Sequence, residues 1–87
     1  MKKKTFISRL CRNILNGRFD WEKYLSPQCY FGKEICTMPL HVSYGLIGFS
    51  VHFPYDTESF PQIEYDVELK TLQVGGMCLK QWMETEE

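Results

Sequence analysis

The sequence predicts an α+β fold, in which an N-terminal amphipathic helix and a short second helix pack on an antiparallel β-sheet of hairpins. Two observations lead to this prediction. The apolar side chains first recur at helical spacing, and after Pro27 they recur at alternate positions. The 87 residues are 44% hydrophobic and 15% aromatic, enough for one core, and no Pro-, Ser- or Gly-rich linker divides them. We therefore expect a single domain over residues 1–87.

The first predicted element is an amphipathic helix over residues 5–16. Arg9 and Arg12 fall on its polar side, and Gly17 follows as a C-terminal stop, since glycine readily adopts the left-handed conformation that ends helices. The apolar side consists of Phe6, Ile7, Leu10, Cys11, Ile14 and Leu15. We expect this side to cover the sheet.

A short second helix is predicted next. Asp20 is a suitable N-cap, and Trp21, Tyr24 and Leu25 follow it. Pro27 then ends the helix, because the residue before a proline avoids helical backbone angles.

Two hairpins are predicted from self-complementary spacing. The first turns at Gly32-Lys33 and pairs Phe31 with Glu34, Tyr30 with Ile35 and Cys29 with Cys36. The second is centred between Leu46 and Ile47 and pairs Tyr44 with Phe49, Val42 with Val51, Leu40 with Phe53, Ser43 with Ser50 and His41 with His52. An alternative for the second region is one bulged strand over residues 40–53.

The clearest strand covers residues 62–69. Its apolar face consists of Ile63, Tyr65, Val67 and Leu69, and the opposite face of Glu64, Asp66, Glu68 and Lys70. The alternation slips by one residue near Lys70-Thr71, which indicates a bulge in preference to a turn. Gly75-Gly76 should break this element, and the segment 77–83 should bury Leu79 and Trp82 before an acidic tail.

The cysteines indicate a reducing compartment. Cys11, Cys29, Cys36 and Cys78 lack the CxxC spacing of metal or redox sites. Arg9 and Arg12 interrupt the only apolar stretch near the N-terminus, so we expect neither a signal peptide nor a membrane span. We therefore expect a cytoplasmic protein with four buried thiols, although the first hairpin register would allow a bridge between Cys29 and Cys36.

No catalytic, cofactor-binding or metal-binding motif occurs in the sequence. A glycine-rich phosphate loop, HExxH and GxSxG are all missing. His41 and His52 would be cross-strand neighbours in the predicted hairpin, and Glu64 or Asp66 could complete a metal site or an acid–base pair with them. Because no spacing fixes a third ligand, we expect no metal, no cofactor and no enzymatic activity.

Charge is distributed asymmetrically along the chain. Residues 1–33 carry eight basic and two acidic residues, a balance of +6, whereas residues 34–87 carry two basic and nine acidic residues, a balance of −7. Like charges along one strand repel each other, so an acidic strand and loop favour a basic partner. The predicted partner-binding residues are Glu64, Asp66, Glu68, Asp56, Glu58, Tyr55 and His52.

In size, charge layout and aromatic-rich strands, the chain resembles small bacterial toxin-immunity proteins, including those of contact-dependent growth inhibition systems. This resemblance implies a cytosolic inhibitor that neutralises a nuclease-like toxin domain by binding its basic active-site surface. It assigns no role to any residue.

Two other functions follow from different residues. The basic N-terminal helix could make the chain a nucleic-acid-binding module, although the slightly acidic net charge of −1 favours a simply solvated helix face. A small enzyme could be built on His52 and a carboxylate.

Overall fold

The computed structural model confirms the α+β class, with one longer helix, two short helices and a six-stranded antiparallel sheet. It describes residues 2–42, 45–56 and 59–85, apart from the side chains of Val42 and Leu46. The elements are α1 (Lys3–Leu15), a 3₁₀ helix (Trp21–Tyr24), β1 (Gln28–Tyr30), β2 (Lys33–Val42), β3 (Gly45–His52), β4 (Ile63–Asp66), β5 (Thr71–Val74), β6 (Met77–Cys78) and α2 (Leu79–Met83). The strands lie side by side in chain order, from β1 to β6.

Helix α1 forms as its periodicity predicts. Five of the predicted apolar residues are buried, namely Phe6, Ile7, Leu10, Cys11 and Ile14. Leu15 is the exception, since it is exposed at the last turn. Gly17 ends the helix at φ 69°, where its N–H bonds to the carbonyl of Ile14 while the N–H of Arg18 bonds to that of Asn13. This pair of bonds is the Schellman motif, which satisfies carbonyls that the helix end leaves free.

The second helix is a single 3₁₀ segment that closes one side of the core. Asp20 lies at the predicted N-cap position, but its side chain makes no capping bond. Tyr24, the last residue of the helix, is buried, and Leu25 follows the helix and is exposed. The ring of Trp21 stacks on Phe49 with centroids 5.6 Å apart. The Trp21 carbonyl also accepts a hydrogen bond from the buried hydroxyl of Thr37 at 2.6 Å.

The first hairpin turns one residue earlier than predicted. Phe31 and Gly32 form the turn with φ of 48° and 80°, and both positive values are typical of a type I′ turn. Tyr30 therefore pairs with Lys33 and Cys29 with Glu34. The predicted pairing of Cys29 with Cys36 is wrong, and no bridge between them follows from the register.

The second hairpin was also placed wrongly. Leu46 and Ile47 lie inside β3, and the strands β2 and β3 are joined at residues 43–44, which lie outside the described residues. The predicted pairs of Ser43 with Ser50 and of Tyr44 with Phe49 each include one residue that lies outside the described residues. His41 pairs with Leu46 and His52 with Cys36, with an irregularity between Leu40 and His41. The predicted register is therefore wrong, and so is the alternative of one bulged strand over residues 40–53. An irregularity of the bulge type does occur in β2, after Leu40.

Strand β4 is shorter than predicted and ends at Asp66. The Oδ1 atom of Asp66 accepts hydrogen bonds from the N–H groups of Glu68 and Leu69, each at 2.9 Å. These bonds favour a turn over continued sheet pairing. Residues 67–70 form that turn, so the alternative of a turn near Lys70 is correct and the predicted bulge is wrong. Val67 and Leu69 are exposed as a result.

The end of the chain follows the prediction. Gly75 and Gly76, with φ of 59° and 83°, make the tight turn between β5 and β6, and Trp82 of α2 is buried while Leu79 packs partly against the core. The ammonium group of Lys4 donates to the carbonyls of Met83 and Thr85, so the two ends of the described chain meet. None of the helices among the described residues is long and apolar enough to cross a membrane.

The core lies between α1 and one face of the sheet. Cross-strand partners share a face, and the register places Thr37, Val51, Ile63, Val74 and Met77 in one row across five strands. Phe6 of α1 packs edge-on against Tyr30, Phe53 and Phe60, with centroids about 6 Å away in each case. We call this helix-covered side the inner face.

Candidate protein-binding face

The opposite side of the sheet, which we call the outer face, is where β4 presents its carboxylates. Alternation along the strands and the observed register assign to it Cys36, Met38, Leu40, Ser50, His52, Glu64, Asp66, Thr71, Gln73 and Cys78. Glu64 and Gln73 are exposed, and the side chain of Met38 is 54% exposed. None of the residues of the outer face is a lysine or an arginine.

The central row of the outer face joins apolar, polar and acidic groups. It runs from Met38 through Ser50 and Glu64 to Gln73. Ser50 is buried, and its hydroxyl lies 2.9 Å from Nε2 of His52, so each group satisfies the other. This bond fixes the imidazole ring over β3, on the same side of the sheet as Glu64.

A shallow depression lies beside this row, next to Asp66. Gly48 stands between Leu40 and Asp66 in the neighbouring row. The depression has a volume of about 240 Å³ and is lined by Leu40, Ile47, Glu64, Tyr65, Asp66, Thr71 and Gln73. Two carboxylates at one shallow, partly apolar depression can accept charge-assisted hydrogen bonds from a lysine or arginine of a partner.

Glycine is required at position 48 because β3 and β4 lie very close together there. A Cβ atom there would lie 1.8 Å from the backbone oxygen of Tyr65 on β4. Strands β3 and β4 therefore approach each other in a way that only glycine permits.

The predicted loop residues lie away from the outer face. Asp56 pairs with Lys33 at 3.0 Å, and the Lys33 ammonium also lies 4.6 Å from the centroid of Phe60. Much of the Asp56 charge is thereby offset within the molecule. Tyr55 is 77% exposed. Glu58 lies outside the described residues.

The acidic residues consequently divide into two groups. Glu64 and Asp66 lie on the outer face, and Glu68 continues them into the exposed turn after β4. Tyr55 and Asp56 precede β4 and lie at its other end. His52 is hydrogen-bonded to Ser50, the cross-strand partner of Glu64. His41 is five positions away along β2 from Cys36, the partner of His52, so the predicted histidine pair is not formed.

The cysteines differ in their surroundings. Only Cys11 is fully buried, and burial raises the pKa of its thiol from 9.0 to about 12. Cys29 and Cys78 are exposed and Cys36 is half-buried, so the prediction of four buried thiols is wrong for these three. The sulfur of Cys78 accepts a hydrogen bond from the N–H of Gln81 at 3.4 Å and so caps α2. Over residues 2–42, 45–56 and 59–85, no group of three or more His, Cys, Asp or Glu residues is placed to hold a metal ion.

Sequence reasoning missed part of this face. Met38, Leu40, Ser50 and Gly48 share it with the predicted Glu64 and Asp66. The alternation along β2 places Met38 and Leu40 on one face. It could not show which residues of β3 share that face until the pairing of β2 with β3 was known.

Comparison with protein-family models, with curated proteins and with solved structures finds no match to this chain. Its function is therefore inferred from its own residues.

Proposed function

We propose that the chain is a small cytoplasmic inhibitor of the immunity-protein kind, which binds a basic surface of a protein partner with the outer face of its sheet. The partner that this chemistry fits best is a nuclease-like toxin domain, because a site that binds phosphates is lined by cations. The observation that supports the proposal is the outer face, on which the exposed Glu64 and the half-buried Asp66 lie in neighbouring rows that contain no lysine or arginine among the described residues.

The charges of this face are placed to steer a basic partner. Glu64 is exposed in the central row, and Glu68 is exposed in the adjoining turn. The one ion pair among the described residues joins Lys33 to Asp56, so it involves neither of these carboxylates. Unpaired surface carboxylates of one sign raise the rate of association with a cationic surface, and this effect weakens as salt increases.

The apolar part of the face can stabilise the bound state. Met38 is largely exposed beside Ser50, and Leu40 lines the depression near Asp66. Interfaces combine a desolvated apolar centre with polar groups at the rim, and methionine is enriched in them. We therefore assign attraction to the carboxylates and a large share of the buried area to Met38 and Leu40.

The test begins with capture of partners from the cells that make this protein. Glu64→Gln, Asp66→Asn and Glu68→Gln are combined in one variant, which removes charge while keeping shape. The matched control combines Asp20→Asn, Glu22→Gln and Glu84→Gln, which remove three exposed charges elsewhere. Association of the captured protein is then measured at salt concentrations of about 0.05 and 0.5 M, which span the range where surface charges become screened.

A basic partner should associate several-fold more slowly with the face variant than with the wild type at low salt, and the control should behave as the wild type. If the partner is a nuclease, its hydrolysis of nucleic acid should stop when the wild-type protein binds. Capture of no protein, or equal binding of all three forms at both salt concentrations, contradicts the proposed face. A bound nuclease that remains fully active contradicts the inhibitory role.

A further inference from the structure

A groove lies along α1, on the other side of the sheet from the outer face. It has a volume of about 530 Å³ and is lined by Lys4, Thr5, Ser8, Arg9, Arg12, Asn13, Asn16, Arg18 and Met83. The polar side chains among these are ammonium, guanidinium, hydroxyl and amide groups, and no carboxylate of residues 2–42, 45–56 or 59–85 lines the groove. Such a set of hydrogen-bond donors suits an anion with several oxygens, such as a phosphodiester.

The arginines of this groove are not neutralised within the described structure. Arg12 donates to the hydroxyl of Ser8 at 3.2 Å, and Arg9 lies over an aromatic ring, so both make uncharged contacts. Arg9, Arg12 and Arg18 are all exposed. The sequence has no acidic residue before Asp20. The positive potential of this surface is therefore directed to solvent.

The aromatic ring beside the groove belongs to Phe31. Its side chain is 58% exposed, and the guanidinium carbon of Arg9 lies 5.3 Å from the ring centroid. Phe31 also has φ 48°, in the left-handed region that glycine and asparagine adopt much more readily. A bulky, exposed, strained residue at a tight turn suggests a role outside the fold, since Asn or Gly would make the same turn with less strain.

We propose that the α1 groove and Phe31 together bind single-stranded nucleic acid. Arg9, Arg12 and Arg18 hold phosphates, and the exposed ring of Phe31 stacks on an adjacent base. Basic grooves beside aromatic platforms bind single strands in this way with little sequence preference. A duplex fits less well because its bases are already stacked on one another. An acidic polypeptide would use the arginines but offers no flat ring to Phe31.

This surface is independent of the proposed inhibitory face. Helix α1 covers the inner face of the sheet, so the groove and the carboxylates of β4 point to opposite sides. A protein partner on the outer face and a strand in the groove can therefore be bound at once.

The test is fluorescence anisotropy with a labelled single-stranded DNA of mixed sequence and about 16 nucleotides, the upper end of usual site sizes. DNA is suitable because neither phosphate contacts nor stacking requires a 2′-hydroxyl. The variants are Arg9→Gln with Arg12→Gln, and Phe31→Asn. The matched control, Lys23→Gln with Lys80→Gln, removes the same charge from exposed sites outside the groove.

The double arginine variant should bind at least about tenfold more weakly at low salt. Its slope of log affinity against log salt should be shallower by about 1.4, because each phosphate contact to a single strand contributes about 0.7. Phe31→Asn should weaken binding about fivefold to a hundredfold, the equivalent of one lost stacking contact, with an unchanged slope. Its melting temperature should equal or exceed that of the wild type, since Asn tolerates the positive φ.

Several results would overturn the proposal. These are no binding by the wild type at low salt, a loss in the lysine control as large as in the arginine variant, or wild-type affinity in Phe31→Asn. Tighter binding of the corresponding duplex, or of polyglutamate of the same length, would also overturn it, the latter in favour of an acidic protein partner.

Discussion

The two faces of the sheet are made by alternate residues of the same strands, yet they have opposite characters. On the inner face, Val51 and Ile63 have no exposed surface, and they pair directly across β3 and β4. One position along, Ser50 pairs with Glu64 on the outer face, where a carboxylate is exposed beside Met38. Burial of the first set stabilises the fold, whereas Met38 and Glu64 of the second set are exposed to solvent. Four changes would test this division.

Truncation at the inner side should have the largest effect on stability. Leu10→Ala should lower the free energy of unfolding by about 2–5 kcal/mol, because Leu10 has no exposed surface and its loss leaves a cavity. Leu15→Ala is the matched control on the same helix, where the side chain is 46% exposed, and it should cost little. Urea denaturation measures both. Equal losses would show that α1 does not pack on the sheet as described.

Ionisation of the buried thiol should have the next largest effect, at alkaline pH. The pKa of Cys11 is about 12 in the folded protein because burial disfavours the thiolate, compared with 9.0 ordinarily. The associated stability is fully present below pH 9 and is lost as pH rises toward 12, by about 1.4 kcal/mol per pH unit and about 4 kcal/mol in all. Cys11→Ala should lack this component of the pH dependence. Cys29→Ala, which removes an exposed thiol, should retain it. Identical profiles for Cys11→Ala and the wild type would contradict the burial.

A methyl group added at Gly48, between strands β3 and β4, should have an intermediate effect on stability. Gly48→Ala places Cβ against the Tyr65 carbonyl and should cost about 1–3 kcal/mol or more, since β3 and β4 must separate. Thr71→Ala, an exposed change on the outer face, should be nearly neutral. Thermal unfolding of the two variants provides the measurement. A neutral Gly48→Ala would mean that the two strands are not so closely paired.

Neutralising the outer face should have the smallest effect on stability. The combined variant Glu64→Gln, Asp66→Asn and Glu68→Gln should remain within about 0.5 kcal/mol of the wild type, because Glu64 and Glu68 are exposed. Asparagine at position 66 keeps the oxygen that accepts the two backbone N–H groups of the turn. The thermal unfolding of this combined variant is compared with that of the control variant, which combines Asp20→Asn, Glu22→Gln and Glu84→Gln. A loss of several kcal/mol would assign these carboxylates to the fold and remove the basis of the proposed partner surface.

Residues of the inner face could be predicted from the sequence wherever the spacing of apolar residues alone was enough to identify the buried side of an element. The periodicity of α1 identified its buried residues apart from Leu15, and alternation in β4 identified Ile63 as inward and Glu64 as outward. Gly75-Gly76 indicated correctly where β5 ends, and both residues adopt positive φ in the turn that follows it. In each case the local pattern and the tertiary packing favour the same structure.

The outer face was harder to predict because it depends on register. In the first hairpin, the correct and predicted registers differ by two residues, and such a shift leaves every side chain on the same face, so hydrophobicity cannot distinguish them. In β2, the inward residues include Thr37 and Pro39, and the irregularity after Leu40 breaks the alternation.

The end of strand β4 was predicted wrongly for another reason. Asp66 binds backbone N–H groups of the following turn, and an unbroken alternation through Leu69 conceals this bond.

The order of the strands has a consequence for how the chain folds. Each strand pairs with the strand that precedes or follows it, from β1 to β6. These sheet contacts have short sequence separations, and proteins rich in local contacts fold fast. Helix α1 is the exception, since Phe6 packs on Phe53 and Phe60 and Lys4 binds carbonyls near the other end of the chain. We expect the hairpins to form within microseconds and the docking of α1 to limit the folding rate.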